Sequence, residues 1–290
     1  MTERFSRDMR LGGILTAMVT PFDSKGDLDE DATARLVRHL LENGSDGLVL
    51  AGSTGEGATM TDEEKVRLWE IGVAESGDAP IIAGTGTYDT RHSVELTERA
   101  HEVGVDAMLV VTPYYVRPNR RGIKAHYEAV AAATDRPIVA YNIPTRTGTD
   151  MSNDVLAELA EIDNVAAVKQ ARYEDLAPIE GMDLLAGNDD VLAKVMDMGG
   201  TGGILVSSQL VGSEMRRIVD EPERRHEIED GLRDLYKAMN VTVNPIPVKT
   251  AMNMIGMEVG PLRLPMVDAS DEERAVIREA LERHNLLAAV

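Results

Sequence analysis

Apolar and polar positions along the chain alternate on two length scales. Short runs that are apolar nearly throughout recur, and longer stretches between them carry apolar residues at helical spacing. The runs are GILTAMV (13–19), GLVLAG (47–52), PIIAGTG (80–86), DAMLVVTP (106–113), PIVAYNI (137–143), VAAVKQ (165–170), DLLAGND (183–189) and GGILVSS (202–208). A strand with one wet face alternates, whereas a run apolar on both faces predicts a parallel strand covered on both sides. Of the intervening stretches, DEDATARLVRHLLENG (29–44) has an acidic start and a terminal glycine. TDEEKVRLWEIGVAE (61–75) opens with Thr61 and Glu64 at capping-box spacing, which gives Thr61 a structural reading. The seventh and eighth units look shorter. Eight strand–helix units predict an α/β fold, a (β/α)8 TIM barrel, with a doubly wound open sheet as the alternative.

The alternation stops near residue 230. DGLRDLYKAMN (230–240), PIPVKTAMNMIG (245–256) and SDEERAVIREALERHNLL (270–287) predict additional helices, the last with a second capping box at Ser270 and Glu273. No low-complexity linker intervenes. The expected division is therefore a barrel over 1–230 and a C-terminal helical extension, 231–290, packed on it.

Composition narrows the function. Fifty acidic residues oppose 30 basic ones, for a formal charge of −20. A field of that sign repels nucleic acid and anionic membrane, so neither is expected as a partner. Scarce lysine, abundant Asp and Glu and only two Phe suit an acid-coated surface in high salt; an ordinary acidic cytosolic protein is the plainer reading. The absence of cysteine excludes disulfides, iron–sulfur clusters and thiolate zinc sites. The six histidines are scattered and none is paired at H-x-x-x-H spacing, so no metal is expected. The charged start MTERFSRDMR and the lack of any apolar run near 18 residues argue against a signal peptide or membrane helix, which places the protein in the cytoplasm.

Chemistry in such a barrel sits at the C-terminal strand ends, and the polar residues gather there: AGSTGEG after strand two, VTPYY after four, YNIPTRTG after five, Lys169 in six and AGND after seven. Lys169 has two readings. Its stem can lie along the barrel wall with the ammonium in solvent. Alternatively the amine is desolvated in the barrel mouth, where burial lowers its pKa from about 10.4. A neutral amine attacks a carbonyl and forms a Schiff base, an electron sink for proton removal or carbon–carbon cleavage. The other six lysines look less suited: Lys25 lies in a turn, Lys65, Lys124, Lys194 and Lys237 on charged helical faces, and Lys249 off the strand ends.

Schiff-base chemistry needs a proton shuttle. Tyr141 ends the strand neighbouring that of Lys169, and adjacent strands lie about 4.8 Å apart; a ring packed in apolar surroundings with a wet hydroxyl is the alternative. Thr54 and Tyr115 can relay protons onward, and Tyr115 equally suits an exposed or interface aromatic. GSTGEG matches no phosphate-loop pattern. It reads better as a tight turn offering the N–H groups of Ser53 and Thr54 to a small carboxylate. Arg146 can clamp a second carboxylate bidentately or pair with surface acids.

Taken together, TPF (20–22), GSTGEGATM, GTGT, VTPYY, YNIPTRTG, VKQA, NPIPVK and LRLPM (262–266) resemble the dihydrodipicolinate synthase / N-acetylneuraminate lyase family of Schiff-base aldolases, from about residue 11 to 267. The resemblance implies a barrel with C-terminal helices, assembled as a homotetramer, a dimer of dimers. It implies that Lys169 carries pyruvate as a covalent Schiff base with no other cofactor. It makes Tyr141 the proton donor and acceptor, with Thr54 and Tyr115 completing the relay, Tyr115 in a neighbour's site. Ser53 and Thr54 hold the pyruvate carboxylate, and Gly187 and Ile204 line the site through backbone atoms.

Within the family, Arg146 and LRLPM resemble the synthases, in which the arginine holds the carboxylate of aspartate semialdehyde; GST in place of GTT is a mild departure. The expected partners are pyruvate and this small aldehyde, condensed to the precursor of diaminopimelate and lysine. A 2-keto-3-deoxygluconate-type aldolase, with Arg117, Arg120 and Arg121 as phosphate candidates, is the alternative; an idle pyruvate sensor is a third. Gly57, Asp62, Lys65, Tyr88 and His92 depart from the pattern of feedback-inhibited synthases, so inhibition by lysine is not expected.

Overall fold

The computed structural model describes residues 11–287, so MTERFSRDMR lies outside the described residues. The eight strands are β1 (Gly13–Ala17), β2 (Gly47–Leu50), β3 (Ile81–Gly84), β4 (Ala107–Val111), β5 (Ile138–Asn142), β6 (Val165–Gln170), β7 (Asp183–Ala186) and β8 (Gly202–Leu205). They pair in chain order, all parallel, and β8 closes on β1, so the open-sheet alternative is excluded. Most of the apolar runs extend past the ladder at their C-terminal ends. There the chain leaves the sheet for loops, which is where a barrel of this class places its chemistry.

The helices are α1 (Glu30–Glu42), α2 (Asp62–Glu75), α3 (Thr90–Val103), α4 (Arg120–Ala131), α5 (Pro144–Thr147), α6 (Asn153–Leu159), α7 (Leu192–Asp197), α8 (Ser208–Asp220), α9 (Arg225–Ala238), α10 (Ile246–Met254) and α11 (Asp271–Arg283). Both capping boxes form, Thr61 with Glu64 and Ser270 with Glu273. Two details differ from the sequence expectation. The crossover from β6 to β7, residues 171–182, carries no helix and only a bridge between Ile179 and Met182. Its dozen residues include Pro178 and Gly181, which break a helix of that length. The eighth unit, by contrast, is full length, since α8 spans 13 residues.

Strand alternation divides the core in two. Leu15, Val49, Ile82, Leu109, Val139, Ala167, Leu185 and Ile204 fill the barrel interior. Outward residues such as Ile14, Leu50, Val110 and Val168 join the larger layer under the helices. α9 packs on α7, α8 and α11, and α10 on α8 and α11. Position 230 lies inside α9, and the break in the barrel's alternation falls ahead of that helix, at 221–224. Among the described residues no helix is long and apolar enough to cross a membrane.

Candidate active site

β5 and β6 run side by side with Tyr141 in register opposite Lys169. Ala167 points into the barrel, and two residues on so does Lys169, because side chains alternate along a strand. The amine lies 4.3 Å from the centroid of the Tyr141 ring, and Lys169 is only 5% exposed. Burial pushes its ammonium down to about 7; the Asp189 carboxylate opposes that shift and the Arg146 guanidinium adds to it. Burial drives the Tyr141 phenol up to about 12, against the pull of Arg146 and a hydrogen bond with the Ser53 hydroxyl. At neutral pH the pair is thus a neutral phenol beside an amine that is neutral in a large fraction of molecules.

Asp189, the last residue of AGND after β7, was given no role of its own in the sequence reading. It is buried, and its carboxylate accepts from Val206 N (2.9 Å), Ser207 N (3.0 Å) and Ser207 Oγ (2.6 Å). Burial pushes this carboxyl up, while three donors converging on it favour the anion. The polar cluster after an apolar strand was the available signal.

The turn after β2 is conformationally unusual. Ala51 and Glu56, both at φ 54°, occupy the left-handed region on either side of Ser53 and Thr54. A Cβ on Gly57 would meet the Ala51 carbonyl oxygen at 2.1 Å, so only glycine fits there. Glu56 anchors the turn. It accepts from Lys249 Nζ at 2.7 Å, both side chains being 1% exposed, and from Arg263 N at 2.8 Å. Arg263 in turn pairs with Glu64. Lys249 is therefore a buried lysine off the strand ends, pushed down to about 8 by burial against the pull of Glu56. It differs from Lys169 in having a carboxylate within hydrogen-bond distance to hold its proton.

Lys65 is also buried, contrary to its expected place on a charged face; it lies 3.3 Å from Asp62, which His92 also bonds. Gly57, Asp62, Lys65, Tyr88 and His92 line a cavity of about 260 Å³ that also touches Ser53 and Tyr141.

Thr54 is buried, and its Oγ1 accepts from Asn244 Nδ2 at 3.0 Å. Arg146, exposed on α5, donates from Nη2 to the Asn244 backbone carbonyl at 2.8 Å. Arg146 and Tyr115 share the rim of a wider hollow of about 760 Å³. Tyr115 is 90% exposed at φ 69°, outside the barrel interior in which Tyr141 is buried. Gly187 N donates to Gln170 O at 2.8 Å, in a space too tight for a side chain. Ile204 is fully buried in the barrel interior. Arg120 is engaged by Glu158 on the outer face. Among the described residues no three His, Asp or Glu side chains are grouped to hold a metal ion.

The sequence model of the Dihydrodipicolinate synthetase family matches residues 10–284. The 4-hydroxy-tetrahydrodipicolinate synthase of Moorella thermoacetica is 43% identical over 96% of this chain and 100% of its own length. The DHDPS of Cyanidioschyzon merolae, solved with lysine bound, superposes with a TM-score of 0.92 at 36% identity, covering 95% of this chain and 99% of that one. The chloride-inhibited dihydrodipicolinate synthase of Acinetobacter baumannii, complexed with pyruvate, gives a TM-score of 0.92 at 32% identity over 96% of this chain and 100% of that one.

Proposed function

The chain belongs to the dihydrodipicolinate synthetase family, and on that premise we propose that it condenses pyruvate with L-aspartate 4-semialdehyde to give 4-hydroxy-tetrahydrodipicolinate. The observation that carries the reading is the Lys169 amine, shielded from water, lowered to about 7 and set against the Tyr141 ring. Neutral Lys169 adds to the pyruvate carbonyl, and the oxygen leaves as water after protonation, giving the iminium. Tyr141, a neutral phenol, supplies and recovers the protons of that step. Loss of a methyl proton gives the enamine, whose carbon attacks the aldehyde carbon while the aldehyde oxygen takes up a proton. The substrate amine then adds to the iminium carbon, one proton passes from it to Nζ, and the carbon–Nζ bond breaks. The ring is closed and Lys169 leaves as a neutral amine.

In this reading the N–H groups of Ser53 and Thr54 hold the pyruvate carboxylate, Gly187 and Ile204 line the pyruvate through backbone atoms, and Arg146 takes the carboxylate of the aldehyde. The reaction needs no metal or organic cofactor, because the iminium is the electron sink. We read Thr54 and Tyr115 as the onward proton relay. Tyr115 reaches this role in a second subunit, as its 90% exposure favours, so the active unit is at least a dimer and by family likeness a homotetramer in the cytoplasm. The net charge of −20 suits a surface working in high salt.

Two assays test the function together: turnover of pyruvate with aspartate semialdehyde, and cleavage of 2-keto-3-deoxygluconate. The synthase reading expects the first to be robust. Cleavage of the sugar acid with no turnover of the semialdehyde would reject it in favour of the aldolase. The idle-sensor alternative fails if borohydride traps pyruvate on Lys169 and turnover is seen.

A further inference from the structure

The hollow of about 760 Å³ at the barrel mouth is walled by the loop after β4 and the short helix α5 after β5. Two guanidiniums line it, those of Arg117 and Arg146, and none of its lining residues is acidic. In a chain with 50 acidic residues against 30 basic ones, that lining opposes the sign of the molecule as a whole. The nearby charges are engaged elsewhere: Arg120 pairs with Glu158 at 2.8 Å, and Asp150 pairs with Arg172 at 2.7 Å. Arg146 gives one N–H to the Asn244 backbone carbonyl. Among the described residues no ion pair engages Arg117 or Arg146. The Arg117 side chain lies against Gly148, where a Cβ would come within 2.9 Å of its Nε, and Gly148 is two positions from Arg146. Arg117 itself is held at φ 47°, a left-handed conformation uncommon for a residue with a side chain and found where ligands are clamped.

We propose that this hollow binds small dicarboxylates, with one carboxylate on Arg117 and the other on Arg146. A planar guanidinium takes a carboxylate through two parallel N–H bonds. A concave surface of one charge sign also concentrates the field that draws an anion in. Both arginines are exposed, so a ligand reaches them from solvent. A monocarboxylate can engage only one of them, whereas a dicarboxylate engages both. Arg146 is also the residue that takes the aldehyde carboxylate in the synthase reading. On that reading, on which this consequence rests, a bound dicarboxylate excludes the aldehyde and leaves pyruvate on Lys169. The hollow is then an inhibitory site at the mouth of the barrel.

The test is calorimetric titration of the full-length protein, saturated with pyruvate and held at fixed ionic strength. Succinate is compared with butyrate, which keeps the four-carbon chain and lacks one carboxylate. Both are titrated into the wild-type protein and into Arg117→Gln, Arg117→Lys and Arg121→Gln. Arg121 is an exposed arginine of α4 outside the hollow. Wild type is expected to bind succinate about five- to tenfold more tightly than butyrate, the range for one charge-assisted contact in an exposed setting. Arg117→Gln should cancel that advantage and leave butyrate nearly unchanged. Arg117→Lys, which keeps the charge without the fork, should fall between, and Arg121→Gln should match wild type. In turnover assays succinate should raise the KM for aspartate semialdehyde and leave kcat unchanged.

Equal affinity of the wild-type protein for succinate and butyrate overturns the proposal, because one carboxylate would then suffice. A loss in Arg121→Gln equal to that in Arg117→Gln overturns it too, since net charge alone would account for the binding. Succinate binding that Arg117→Gln leaves unchanged also overturns it, as when a second copy of the chain seats an acid on that arginine. A protein that does not turn over the semialdehyde refutes the synthase reading instead, and the titrations decide the dicarboxylate site without it.

Discussion

Lys169 and Lys249 are the same residue type, both buried, and their surroundings divide their chemistry. Lys249 has a carboxylate 2.7 Å away, so its proton is held. Lys169 has an aromatic ring at 4.3 Å and a barrel interior around it, so desolvation dominates and the neutral amine becomes accessible near pH 7. The sign is definite: lowering the pKa enlarges the neutral, nucleophilic fraction as pH rises, so capture of pyruvate should increase through a single step with a midpoint of about 7 and then level off. The rate of cyanoborohydride-trapped adduct against pH measures it. A midpoint of about 9 or higher, close to an ordinary lysine, would mean that the amine is solvated. Asp189→Asn should move the midpoint down, because the carboxylate it removes pulls the Lys169 pKa up. Lys169 and Tyr141 were legible in the sequence because a polar residue in an apolar strand is conspicuous. Asn244 was not singled out, since its partner Thr54 lies 190 positions away in the chain.

At the scale of elements, the turn after β2 is held from outside the barrel. Its left-handed residues at 51 and 56 are strained for side chains other than glycine. The buried Glu56–Lys249 pair ties that turn to α10, and the neighbouring Asn244 supports Thr54. The helical extension therefore takes part in shaping the site. Removing one partner of a fully buried pair leaves the other charge uncompensated, so Lys249→Met is expected to cost about 3–5 kcal/mol. Urea unfolding should show that loss. The double variant Lys249→Met/Glu56→Gln should recover part of it, since the amide keeps an acceptor for Arg263 N. A loss under about 1 kcal/mol in the single variant would indicate that water or another group solvates Glu56. The periodicity of 245–256 announced the helix α10. That one of its lysines turns inward toward a loop 193 residues earlier in the chain was not encoded in any local pattern.

For the whole molecule, two properties bear on function: the exposed aromatic rim and the surface charge. Tyr115 at 90% exposure is an uneconomical place for a large ring on an isolated subunit, and a second copy would cover it. Tyr115→Phe should lower turnover while leaving the melting temperature and the oligomeric state unchanged. Turnover equal to wild type would remove Tyr115 from the proton relay. The −20 charge makes the folded chain repel itself at low ionic strength, and salt screens that repulsion over about 10 Å at 0.1 M. The melting temperature is accordingly expected to rise with added potassium chloride. A flat or falling curve in differential scanning fluorimetry would leave the charge without this role.

The succession of doubly apolar runs and amphipathic stretches was sufficient to specify eight parallel strands and the helices between most of them, because burial on two faces demands that pattern locally, while the closure of β8 on β1 was decided by the tertiary structure. It also marked the lysine, since a lone ammonium among strand residues has no local reason to be there. The inward turn of Lys249 and the meeting of Thr54, Asn244 and Arg146 depend on groups far apart in the chain. Hydrogen bonds and ion pairs carry no sequence periodicity, so only the closed barrel, by bringing those groups within 3 Å of one another, determines which of them become partners.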